Sequence, residues 1–85
     1  MATFETFQDL KDTCDELETL CGEVKEPETR KTLLMAAERF QKIAEAMEGN
    51  YWKANEKYME RTTVYIRKFI DRVKEIIKYE NGNAS

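Results

Sequence analysis

The chain has 85 residues, of which 14 are Lys or Arg and 17 are Asp or Glu, giving a formal net charge of −3. It contains no His, and its only Ser is Ser85, so Ser–His and Cys–His pairs, a His general base and His-ligated zinc are all excluded. Three Gly and one Pro are too few for a loop-rich or turn-rich β fold.

A domain this short buries only roughly 60–65% of the surface its unfolded chain exposes, so self-association is one way to supply missing burial. Apolar residues at 41% with charged residues at 36% suit a helix bundle with charged outer faces. No apolar run approaches the ~18 residues of a membrane span. The opening Met1-Ala2-Thr3-Phe4-Glu5 lacks the basic and apolar stretches of a signal peptide, so a cytoplasmic location and reduced cysteines are expected. Charge is unevenly spread: residues 1–30 hold nine acids and three bases, whereas residues 31–85 carry a net +3. The two segments are expected to attract each other as neighbouring helices or to present a patterned surface to a partner.

Phe4, Phe7, Leu10, Cys14, Leu17, Cys21 and Val24 recur at steps of three and four, with acids on the other faces. This predicts an amphipathic helix over about 3–21, ended by Gly22 in the left-handed conformation. Pro27 suits a first helical position, and Leu33, Leu34, Ala36, Ala37, Phe40, Ile43, Ala44 and Met47 continue a helix over 27–48. Gly49-Asn50 is the next stop and cap signal. Residues 51–79 contain no Gly or Pro, and their apolar rows Trp52, Met59, Ile66, Val73 and Phe69, Ile70, Ile76, Ile77 predict a third helix of about 43 Å. The expected fold is all-α, an up-down-up three-helix bundle with a long third helix, in one domain over 1–80 with a frayed tail at 81–85. The third helix should overhang the second by about two turns. Ile70, Val73, Ile76, Ile77 and Tyr79 then fold under the 22–26 loop around Val24 or meet another protein, a second copy included.

Cys14 and Cys21 lie about 10.5 Å apart on one helix, too far for a disulfide, and read as small core residues. The carboxylates of Asp12, Asp15 and Glu16 sit at helical spacing on a solvent face; without a calcium-type loop or His they predict no metal centre and no cofactor. Trp52 is expected to close the core against Phe4 and Phe7. The most pointed surface feature is on the third helix, where Lys57, Arg61, Lys68 and Arg72 share a flank with Tyr58, Tyr65 and Tyr79. Ala44, Gly49-Asn50-Tyr51, Ala54 and Tyr58 resemble the middle of a tetratricopeptide hairpin, but Lys42, Arg61 and Ile66 depart from that pattern. The stretch reads as a generic helical hairpin.

With no catalytic constellation, the expected function is a small non-catalytic interaction protein that binds and regulates or inhibits a larger protein partner. Inhibitors, immunity proteins, phage-type antagonists and adaptors share this size and class. The candidate contact residues are Lys57, Arg61, Tyr65, Lys68, Arg72, Ile76, Ile77 and Tyr79, with Asp12, Asp15 and Glu16 on the acidic side. The alternatives are a nucleic-acid-binding protein using the basic, aromatic flank, and a self-assembling subunit using the overhang.

Overall fold

The computed structural model of the chain describes residues 2–83. Three helices, α1 (Phe4–Gly22), α2 (Pro27–Met47) and α3 (Glu56–Asn83), form an up-down-up bundle, with a short 3₁₀ turn at Tyr51–Lys53 before α3. There is no strand among the described residues.

Helix α1 is the middle of the bundle, because it has two apolar rows to bury. Phe7, Cys14 and Cys21 form one row at steps of seven, and Leu10, Leu17 and Val24 form the other; all six are buried. On α3, Met59, Ile66 and Val73 are buried at the same spacing, with Thr63 and Ile70 beside them. Two heptad seams facing each other give coiled-coil-like packing. The parallel register of α1 and α3 is visible in two ion pairs, Asp9–Arg67 at 2.8 Å and Glu16–Lys74 at 4.0 Å, each seven residues further along both helices. Helix α2 runs antiparallel on the other side of α1. Lys11 meets Glu48 at 2.9 Å, the Gln41 amide donates to Asp15 at 2.8 Å, and the buried centre of α2 consists of Ala37 and Ala44.

The buried polar groups are satisfied locally. Thr13 and Thr63 donate to the carbonyls four residues back, Asp9 at 2.7 Å and Met59 at 2.9 Å, so their hydroxyls enter the core without an unpaired donor. Cys14 and Cys21 are free and buried, as the spacing predicts. Burial, reinforced by Asp15 beside Cys14 and Glu18 beside Cys21, pushes both thiols up to about 11. They stay protonated at neutral pH, and a thiol reagent is expected to react with them only at the rate of unfolding. Replacing both with Ala is expected to keep the fold. Fast labelling of the native protein would show that this part of α1 is open.

Helix ends depart from expectation in an informative way. No described residue, glycine or other, has a positive φ. Gly22 lies inside the last turn of α1, which closes instead through tight bonds from Glu23 N–H to the Leu20 carbonyl (3.0 Å) and from Val24 N–H to the Cys21 carbonyl (3.3 Å). Glu48 and Asn50 close the end of α2 in the same way, through the Glu45 and Met47 carbonyls, so Gly49 needs no left-handed geometry. Pro27 does open α2, with Glu26 as its cap: the Glu26 carboxylate accepts from Thr29 N–H at 2.6 Å. Hydrogen bonding from the Thr29 side chain and backbone holds Glu26 below the usual carboxylate range. A lowered folded-state pKa stabilises above the unfolded value and is lost as pH falls through the folded one. Glu26→Gln is therefore expected to melt below the parent at neutral pH and to converge with it in acid, as thermal denaturation across a pH series would read out.

The third helix begins at Glu56, later than the sequence suggests. Asn50 caps only the 3₁₀ turn, without a side-chain bond, and Ala54 then takes an extended conformation. The Asn55 side chain accepts from Tyr58 N–H at 3.1 Å and is the working cap of α3. The turn also displaces Trp52. Tyr51, not Trp52, closes this end of the core, stacked on Phe7 at 5.3 Å and edge-on to Phe4 at 5.8 Å. Trp52 packs against Tyr51 from outside and is 46% exposed.

At the far end, α3 continues as helix to Asn83, and residues 84 and 85 of the expected tail lie outside the described residues. The Glu80 carboxylate accepts from Lys25 N–H at 2.8 Å and Glu26 N–H at 3.0 Å, pinning the loop to α3. Val24, Ile70 and Val73 are buried there, and Ile76 and Ile77 are half-buried. The overhang is thus covered largely by the chain's own loop, which removes the need for a second copy to bury it.

Candidate interaction surface

The surface of interest follows from how unevenly the helices pack. Helices α2 and α3 each lie closely on α1 but not on each other. Aromatic side chains bridge them, with Phe40 of α2 5.9 Å from Tyr65 and 6.2 Å from Phe69 of α3, ring centre to ring centre. The close hairpin crossing implied by the tetratricopeptide resemblance is absent. Small Ala37 and Ala44 seat α2 against α1, and the larger residues on its next face are only partly covered.

At 100° per residue, Leu33, Ala36, Phe40, Ile43 and Met47 share one side of α2, and all five are half-buried. Opposite them on α3 stand Thr62, Phe69 and Ile76 at steps of seven, also half-buried. Phe40, Ile43 and Phe69, which the apolar pattern places largely in the core, are therefore seam residues. One shallow depression lies on α2 at Glu28, Thr29, Thr32 and Leu33, and another on α3 at Tyr65, Phe69 and Arg72.

The candidate residues fall into three groups. Lys57, Arg61, Tyr65, Lys68 and Arg72 are all exposed on the outer flank of α3, and the four bases make no ion pair among the described residues. Ile76 lies at the seam, Tyr79 stands out at 70% exposure, and Ile77 packs against the core. The acids Asp12, Asp15 and Glu16 are not brought together: Asp12 accepts from Gln8 at 2.8 Å, Asp15 from Gln41 at 2.8 Å, and Glu16 turns to Lys74. The expected acidic face is thus largely engaged in holding the helices.

A second groove, of about 520 Å³, runs between α1 and α2, lined by Lys11, Asp15, Glu18, Glu38, Gln41, Lys42, Glu45 and Glu48. It is polar, and the pairs Lys11–Glu48, Lys42–Glu38 and Gln41–Asp15 bridge or flank it. Among the described residues no group of three or more His, Cys, Asp or Glu is placed to hold a metal ion. Among the described residues no helix is long and apolar enough to cross a membrane.

Sequence reasoning missed the seam because periodicity marks which side of a helix is apolar, not whether a neighbour closes over it. The available signal was α1 itself, whose two complete apolar rows leave α2 and α3 little reason to meet. No family model, curated protein or solved structure matches the chain.

Proposed function

We propose that the chain is a small, non-catalytic interaction protein that docks on a larger protein partner and thereby regulates or inhibits it. One observation carries the reading: α2 and α3 leave a half-buried apolar seam beside Lys57, Arg61, Lys68 and Arg72, which make no ion pair among the described residues. Apolar floor, polar rim and exposed Tyr and Arg are the ingredients of a protein interface. Replacing Tyr65 by a photo-crosslinking phenylalanine derivative in the native cell is expected to give one discrete protein adduct, while the same label at Glu18 gives none. Diffuse labelling from both positions would remove the reading.

A second reading has its own observation. Tyr58, Tyr65 and Tyr79 are exposed on one row of period seven, with Arg72 in the place between the last two, a pattern that suits stacking on unpaired bases along a phosphate chain. Adducts from Tyr65 that are sensitive to nuclease would favour it, as would binding of an oligonucleotide that falls steeply with salt.

A further inference from the structure

Building on the interaction-protein reading, we propose that the α2–α3 seam is a docking groove for an acidic amphipathic helix of the partner. The shape argument comes first. The α2 side runs from Leu33 to Met47, about 21 Å at 1.5 Å per residue, which is the length of a helix of about four turns. Its floor is apolar, with Leu33, Phe40 and Met47 from α2 and Phe69 and Ile76 from α3 packed against the core yet only partly buried. A third helix presenting apolar residues at i, i+3 or i+4, and i+7 would complete what α2 and α3 leave unfinished.

Charge selects the occupant. Arg39 on α2 and Arg61, Lys68 and Arg72 on α3 are exposed beside the seam and unpaired among the described residues. The hydroxyls of exposed Tyr58 and Tyr65 add donors on the same side. Acids enter only at the far end, with Glu28 on α2 and Glu75 on α3. The occupant's carboxylates therefore concentrate towards the Tyr58–Tyr65 end. A second copy does not meet these demands. Its acid-rich α1 face, with Glu5, Asp9, Asp12, Glu16 and Thr19, is polar throughout and brings nothing to cover the floor, and its own seam would set base against base. A phosphate backbone satisfies the rim but leaves the same apolar strip in water.

The test uses the full chain, isotopically labelled, and a designed peptide of roughly 16 residues with Leu on one helical face and Glu on both flanks. Two controls share its length: one with Lys for every Glu, and one with the acidic sequence scrambled to destroy the apolar face. The acidic amphipathic peptide is expected to shift the resonances of Leu33, Phe40, Phe69 and Ile76, with affinity falling as salt rises. Both controls are expected to bind at least about tenfold more weakly. Lys68→Glu with Arg72→Glu, both exposed and safe for the fold, is expected to reverse the preference between Glu and Lys peptides. The proposal is overturned if the seam is not perturbed, if a control binds equally well, or if the double variant keeps its preference. Stronger perturbation of the seam by a single-stranded oligonucleotide overturns it too. A discrete protein adduct from Tyr65 together with a negative peptide result would discard this occupant and keep the interaction reading; loss of both discards both.

Discussion

Leu17→Ala and Ile66→Ala are each expected to lower unfolding stability by about 2–5 kcal/mol. Both side chains are fully buried, on facing rows of α1 and α3, so truncation removes burial and leaves a cavity between two helices that close packing holds in place. In a domain whose whole stability is on the order of 5–10 kcal/mol, either change brings the chain near its unfolding midpoint. Phe40→Ala removes a larger side chain but from the half-exposed seam, and is expected to cost less than either. Urea denaturation of the three variants gives the order directly. A Phe40→Ala penalty equal to that of Leu17→Ala would mean that α2 and α3 close on each other in solution.

Val73→Glu is expected to unfold the bundle, and Ile76→Glu to leave it folded. The two positions are three residues apart near the end of α3, yet Val73 is fully buried and Ile76 is half-exposed at the seam. A carboxylate at position 73 must be desolvated inside the apolar core, an effect of more than about 4 kcal/mol. At position 76 the carboxylate reaches water, and the cost falls to about 1 kcal/mol. Circular dichroism with thermal melting separates these outcomes. A folded Val73→Glu protein would show that the end of α3 is open surface and would restore the case for a second copy covering it.

Much of this arrangement was legible in the residues. The rows of α1, the Pro27 start of α2 and the buried row of α3 all follow from spacing, because each row is buried by a neighbour with the same repeat. The split of charge between residues 1–30 and 31–85 also has its expected consequence, with Asp9 on Arg67 and Glu16 on Lys74. The start of α3 was not legible. Trp52 sits at the right angle for the core row only if the helix already runs through it, and the 3₁₀ turn gives that place to Tyr51. Of the candidate surface, the flank of bases was readable from the sequence. The seam beside it depends on the distance between two helices, which no repeat encodes.

The central place of α1 also governs how perturbations travel. Helices α2 and α3 share few direct contacts apart from the rings of Phe40, Tyr65 and Phe69, so α1 is their common thermodynamic link. Substitutions on α2 at Ala44 and on α3 at Val73 have no common neighbour at the seam, and their free energies combine additively. Changes at Leu10 or Leu17 shift the response to both. A molecule seated along Phe40 and Phe69 would add the missing third edge, turning two independently held arms into one mechanically closed triangle.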